Sequence, residues 1–198
     1  MIALTVSLMS AYLLGSISPS YLLGKWLKGI DLRDHGSGNV GATNAFRVLG
    51  KAPGSLTLFL DVSKGFLSIY PLASFFESHF SIPIGPSVYR ILMGLAVISG
   101  HNWTLFLKFR GGKGVATSLG VFLALAPDAT GIVFGIWCLT ALLFRRVSLG
   151  SLAAALCAPL VLFWLHKPRA LILFGLLLAF VIFYTHRSNI RKIFFEKR

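Results

Sequence analysis

Residues 115–144 read VATSLGVFLALAPDATGIVFGIWCLTALLF, thirty residues with a single acidic side chain, Asp128, and no basic one. A hydrocarbon core about 30 Å thick takes about 20 apolar residues per helical span. The run is therefore long for one helix and short for two. Pro127-Asp128 near its middle is a turn signal, and the charges around the run decide the count. With two helices here the chain has seven spans. The cations Lys25, Lys28, Arg33, Arg47, Lys51, Lys108, Arg110, Lys113, Arg145, Arg146, Arg187, Arg191, Lys192, Lys197 and Arg198 then share one side. Arg90, Lys167 and Arg169 take the other, and Lys64 lies within a span, which accounts for all 19 Lys+Arg. Six spans would move Arg145, Arg146 and the basic tail to the sparse side and erase the bias. The positive-inside rule thus reads an all-α, polytopic integral membrane protein of seven transmembrane helices, N-terminus outside and C-terminus cytoplasmic.

The rest of the chain supports that reading. Hydrophobic residues make up 56 % and charged residues 13 % of 198, where a soluble domain has about 45–50 % and about 25 %. Mean hydropathy is +0.78. Further apolar runs cover Ile2–Leu23, about 53–76, about 87–107, Val147–Leu165 and Arg169–Thr185. No basic residue precedes the first, so it reads as a retained span and not a cleaved signal. The net charge of +13 sits between greasy runs, which argues for basic membrane loops and against nucleic-acid binding. Cys138 and Cys157 lie in apolar stretches and read as small hydrophobes. One membrane domain over residues 1–198 is the simplest organisation.

The polar chemistry gathers on the basic side. Gly36-Ser37-Gly38-Asn39-Val40-Gly41-Ala42-Thr43-Asn44 leads to Arg47. It matches G-x-G-x-x-G formally, but a membrane helix precedes it where a dinucleotide fold needs a strand. Its glycines still permit close approach of backbone to an anion, Ser37, Asn39, Thr43 and Asn44 add neutral donors, and Arg47 adds a fork suited to phosphate. Gly111-Gly112-Lys113-Gly114, preceded by His101, stands directly before an apolar helix, whose first N–H groups and dipole favour an anion. Arg110 and Lys113 would serve equally as topology anchors. Ser151 follows Arg145-Arg146 and is expected one turn into a helix. His186 and Asn189 are spaced to share a helix face, and a histidine there can exchange protons near neutral pH. Asp61 and Lys64 are spaced to pair inside a span, where ionisable groups either line a site or lock helices together. Six dispersed carboxylates, without C-x-x-C or H-E-x-x-H, point to no metal and no cofactor. H-x-x-x-x-D and G-x-S-x-G are also absent. Two phosphate cradles on one edge of a helical bundle suggest an enzyme handling two anions at the lipid interface. A transporter is the alternative, but it would be expected to show repeated halves and discontinuous helices, and no repeat is visible.

The 36–44 stretch, Gly100-His101 with Gly-Gly-Lys-Gly-Val-Ala-Thr at 111–117, Ser-Leu-x-Ser at 148–151 and His186-x-x-Asn189-Ile190-Arg191 resemble the bacterial PlsY-type acyl-phosphate:glycerol-3-phosphate acyltransferases. The resemblance covers nearly the whole chain. It departs at Gly-His-Asn-Trp-Thr, where the family usually has Pro and this chain has Thr104. It implies transfer of a fatty acyl group from acyl phosphate to the 1-hydroxyl of glycerol 3-phosphate, giving lysophosphatidic acid and phosphate for phospholipid synthesis. It also implies a multi-pass protein of the bacterial inner membrane with a cytoplasmic site. On that reading Gly36, Gly38, Asn39, Gly41, Thr43, Asn44, His101, Gly111, Gly112, Gly114 and Ser151 bind substrate phosphate. Lys113, Arg47, Ser37, His186 and Asn189 are the catalytic set. His186 or the leaving phosphate takes the hydroxyl proton.

Overall fold

The long run divides where proline requires it. In the computed structural model, which describes residues 1–194 and side chains through 192, one helix ends at Leu125 and the next begins at Pro127. Proline lacks the N–H a continuous helix would use, yet its fixed φ suits a first helical position. Ala126 between them sits at φ −152°, ψ 72°. Lys197 and Arg198 of the basic tail lie outside the described residues.

The described residues form helices and loops with no strand. The helices are α1 (Ile2–Ser16), α2 (Pro19–Lys28), α3 (Ala42–Val48), α4 (Lys51–Leu67), α5 (Ala73–His79), α6 (Pro86–Asn102), α7 (Val115–Leu125), α8 (Pro127–Phe144), α9 (Val147–Trp164), α10 (Arg169–Thr185) and α11 (Arg187–Phe194). Among the described residues four helical stretches are long and apolar enough to cross a membrane: Ile2–Lys28, Lys51–His79, Pro127–Phe144 and Val147–Trp164. Val115–Leu125 and Arg169–Thr185 are shorter apolar helices.

The first and third runs end elsewhere than hydropathy places them, and the second is not a plain α-helix. The first run continues past Leu23 to Lys28, where Gly29 at φ 66° closes α2 by donating its N–H to Lys25 O, a left-handed cap. The second passes through a π-helical turn at Ser68–Leu72 containing Pro71, because a proline inside a helix removes a donor and the ladder must slip around it. The third stops at Asn102 instead of Leu107. Residues 105–107 form a 3₁₀ turn, and Lys108 and Phe109 at φ 55° and 60° turn the chain back.

The chain falls into two compact units, Met1–Leu125 and the segment from Ala126 onward. In the first, α1 packs on α6 and α4 on α7. Small residues let these backbones touch: a Cβ on Gly15 would strike the Val97 carbonyl, and one on Gly65 the Thr117 carbonyl, the way membrane helices gain packing without a hydrophobic drive. In the second, α9 packs on both α8 and α10. Lys167 pairs with Asp128 at 2.7 Å, tying the 165–169 turn to the start of α8. Large apolar side chains such as Phe59, Leu142, Phe163 and Phe180 point outward and exposed, as lipid-facing surfaces do. Neither Cys138 nor Cys157 forms a disulfide, and both are half-buried.

Candidate active site

The first glycine-rich segment is a folded lobe. Leu32, Val40, Ala45 and Leu49 bury themselves together with Leu107 from the second segment, so one apolar cluster lies beneath both loops. Asp31 opens the 3₁₀ turn Leu32–Asp34 by accepting the Arg33 backbone N–H at 2.9 Å. The Arg33 guanidinium donates to both its oxygens, at 2.7 Å to Oδ2 and 3.0 Å to Oδ1. That contact holds the Asp31 carboxyl down to about 2. Arg33 Nη1 also lies 3.4 Å from Leu107 O.

Asn44 is 1 % exposed. Its Oδ1 accepts the Ser37 N–H at 2.9 Å, and its Nδ2 donates to His35 O at 3.0 Å and Leu32 O at 3.2 Å. Both amide hydrogens are therefore spent inside the loop. In this arrangement Asn44 is a staple that shapes the turn. Gly36 and Gly38, at φ 63° and 71°, make the two left-handed bends that pass over it. Gly41 caps α3. Ser37, Thr43 and Arg47 stand exposed and Asn39 half-buried, with Asn39 Nδ2 3.5 Å from Gly111 O. Two segments about 70 residues apart in sequence are thereby brought side by side.

The second segment hangs from the end of α6. Gly112 donates its N–H to His101 O at 2.9 Å and Gly111 to Asn102 O at 3.0 Å. A Cβ on Gly111 would strike His101 O, and one on Gly112 the His101 imidazole at Nε2. Lys113, half-buried, sits in this turn, and Gly114 starts α7 by accepting the Ser118 N–H at 2.7 Å. Asn102 is 4 % exposed, and both its amide atoms lack a hydrogen-bond partner among the described residues. So do Thr117 Oγ1 and Ser118 Oγ on the first turn of α7. A Cβ on Gly114 would stand 2.7 Å from Asn102 Oδ1. Unpaired buried polar atoms are costly, and three such residues flank one helix start. The sequence reading missed Asn102, Thr117 and Ser118; their signal was polar side chains on both flanks of Gly-Gly-Lys-Gly. Thr104 holds φ −66°, a value proline also takes, and its Oγ1 donates to Ser16 O at 2.6 Å.

Beneath this turn Asp61 and Lys64 form the pair that their spacing predicts, Nζ to Oδ1 at 2.9 Å. Lys64 Nζ also donates to Gly15 O at 2.9 Å and Ile17 O at 2.8 Å. His101 Nδ1 lies 3.3 Å from the same Asp61 oxygen.

The remaining candidates lie in the second unit. Ser151 is buried one turn into α9, where its hydroxyl donates to Val147 O at 3.0 Å and accepts from Trp137 Nε1 at 3.3 Å. It would have to rotate its proton off Val147 O to serve a ligand. His186 closes α10 and is 3 % exposed. A carbonyl only accepts, so the 2.8 Å contact of Nδ1 with Ile182 O makes Nδ1 the donor and gives Nε2 the lone pair of the neutral ring. His186 O still accepts the Ile190 N–H at 2.9 Å, so the helical path barely breaks between His186 and half-buried Asn189.

The chain matches the glycerol-3-phosphate acyltransferase family over residues 5–196. It is 39 % identical to the glycerol-3-phosphate acyltransferase of Chlorobium phaeobacteroides (strain BS1), covering 98 % of this chain and 94 % of the relative. It is 42 % identical to glycerol-3-phosphate acyltransferase 2 of Moorella thermoacetica, covering 95 % and 92 %. The crystal structure of PlsY, an integral membrane glycerol 3-phosphate acyltransferase, superposes in its glycerol 3-phosphate form with TM-score 0.86 at 39 % identity, covering 96 % of this chain and 91 % of that one. Its lysophosphatidic acid form gives TM-score 0.83 at 38 % identity, with the same coverage. An all-helical integral membrane fold and a match along nearly the whole chain place this protein in the glycerol-3-phosphate acyltransferase family.

Proposed function

We propose that the chain moves a fatty acyl group from acyl phosphate to the 1-hydroxyl of glycerol 3-phosphate, releasing lysophosphatidic acid and phosphate. The work is done by one membrane domain of seven spans, at the cytoplasmic face of a bacterial inner membrane. The observation that carries the reading is the start of α7. There Gly111 and Gly112 are pinned to the end of α6, Lys113 follows, and buried Asn102, Thr117 and Ser118 present polar atoms that find no hydrogen-bond partner among the described residues. Such a turn suits a phosphate.

The reaction needs little covalent help from the protein. Acyl phosphate is a mixed anhydride with phosphate as a built-in leaving group. The hydroxyl oxygen of the acceptor bonds to the acyl carbon, the bond from that carbon to the phosphate oxygen breaks, and the hydroxyl proton leaves. The protein holds two anions together, orients the hydroxyl and stabilises the carbonyl oxyanion. Lys113 and Arg47 offset substrate charge. Gly36, Gly38, Asn39, Gly41 and Thr43 shape one cradle, with Asn44 supporting it from below, and Gly111–Gly114 the other. Ser37 and Ser151 act as hydrogen-bond donors, not nucleophiles. Asn189 and His186 position the hydroxyl, with His186 Nε2 or the departing phosphate receiving its proton.

The donor is tested directly. Purified protein in lipid is given glycerol 3-phosphate with acyl phosphate, acyl-coenzyme A or acyl carrier protein, and lysophosphatidic acid is measured by mass spectrometry. Product from acyl phosphate alone is the expected result. Equal use of a thioester donor would overturn it.

A further inference from the structure

We infer that Asp61 is a positioning residue for the Gly111–Gly114 turn, acting through His101; this rests on the phosphate-binding reading of that turn. Asp61 is 1 % exposed in the middle of α4, where a carboxylate is costly unless it has a task. Neutralising Lys64 accounts for only part of its surroundings. The Lys64 ammonium has three hydrogens and three acceptors: Gly15 O, Ile17 O and Asp61 Oδ1. That set alone would lock α4 to the end of α1.

The same Asp61 oxygen also faces His101 Nδ1, at 3.3 Å. This is an ion-pair contact and not an aligned hydrogen bond, but a carboxylate only accepts, so its charge favours the tautomer or ionised form that carries the proton on Nδ1. The opposite edge of that ring, Nε2, is the surface on which Gly112 rests, so tightly that no Cβ would fit. The His101 carbonyl holds the Gly112 N–H at 2.9 Å. The ring and carbonyl of one residue therefore determine where Gly112 and the following Lys113 stand. Asp61 sets the ring, and Lys64 sets Asp61 against α1. A buried charge network in the second span thus reaches the phosphate turn without touching substrate. Among the described residues the other paired carboxylates are engaged elsewhere, Asp31 with Arg33, Glu77 with Arg90 and Asp128 with Lys167, and Asp61 is the carboxylate that the ring faces.

The test compares variants in purified protein by separate KM values for acyl phosphate and glycerol 3-phosphate. Lys113→Arg first identifies which substrate the turn holds, as the one whose KM rises. Asp61→Asn is expected to raise the KM of that same substrate about tenfold while leaving the other KM nearly unchanged, and to lower the melting temperature, because buried Lys64 loses its counter-charge. His101→Asn, which keeps a donor toward Asp61 but removes the ring edge under Gly112, is expected to show the same selective rise. It also carries the test if Asp61→Asn does not fold. The double variant should be no worse than the worse single variant, the mark of residues acting as one unit. Unchanged KM values in the folded single variants, equal rises for both substrates, or additive losses would overturn the inference. If Lys113→Arg shifts neither KM, the phosphate reading of the turn fails first, and that result is distinguishable from a failure confined to Asp61.

Discussion

Asn44 Oδ1 accepts the Ser37 backbone N–H at 2.9 Å, across seven residues of glycine-rich chain, while its own Nδ2 holds His35 O and Leu32 O. One buried amide thus fixes the path of the whole first loop. Asn44→Ala would leave the buried Leu32 carbonyl without its donor, and the part-buried Ser37 N–H and His35 carbonyl without theirs, and is expected to cost about 1–3 kcal/mol, the desolvation penalty of an unmet buried group. Asn44→Asp keeps the acceptor for Ser37 but turns an oxygen against two carbonyls. It should melt no higher than the alanine variant in thermal unfolding. A wild-type melting temperature for Asn44→Asp would contradict the staple role.

Gly111 and Gly112 meet different obstacles. A methyl at Gly111 collides with the His101 carbonyl, main chain that cannot swing away, and one at Gly112 collides with the His101 ring. Either alanine must displace the turn, and misplacing a binding group by about 1 Å costs roughly a hundredfold in rate. Steady-state turnover of the two variants checks this. Near-normal turnover in Gly111→Ala would show that the turn does not need this geometry.

The Asp31–Arg33 pair gives a pH-dependent prediction. Its carboxyl is held at about 2, below the ordinary value of 3.8, because Arg33 favours the ionised form. A carboxyl depressed by folding contributes stability that is present above its unfolded value and lost as pH falls through its folded one. Asp31→Asn should therefore melt below wild type by a constant margin from pH 7 to about 5, and the margin should narrow below about 4. A margin that stays constant down to pH 3 would show that the pair does not contribute through its charge.

The proton acceptor separates by kinetics. If His186 Nε2 takes the proton, His186→Ala abolishes the acidic limb of the pH–rate profile along with most of the rate. If the departing phosphate takes it, the profile keeps its shape and only a modest rate loss follows. Stopped assays between pH 5 and 9 distinguish the two. Trapping of an acylated Ser37 or Ser151 by mass spectrometry would exclude direct transfer altogether.

The sequence carried the parts of this protein that depend on local chemistry. Pro127 marks the break in the long run, glycines mark both loops, and the Asp61–Lys64 spacing implies their pair. What it concealed depends on partners far along the chain. Asn44 looked like a ligand donor because nothing local reveals that Leu32 O and His35 O consume its hydrogens. Lys64 gave no sign of binding Gly15 O and Ile17 O, nor Leu107 of packing beneath a loop that closes near residue 49. Asn102 carries no local signal, since a lone asparagine at a helix end is ordinary until its amide proves buried and without a partner among the described residues. The third apolar run outlasts its helix for a similar reason. Leu105–Leu107 is apolar enough to continue a helix, and only the left-handed Lys108 and Phe109 show that the chain has already turned.

The most direct test of the central claim is phosphate release from acyl phosphate by purified protein, measured with and without glycerol 3-phosphate and repeated with Lys113→Ala. Release should depend on glycerol 3-phosphate, match lysophosphatidic acid mole for mole, and fall at least about a hundredfold in the variant, as loss of a charge-assisted phosphate partner requires. Release that proceeds equally without the acceptor, or that survives the loss of Lys113, would contradict the account.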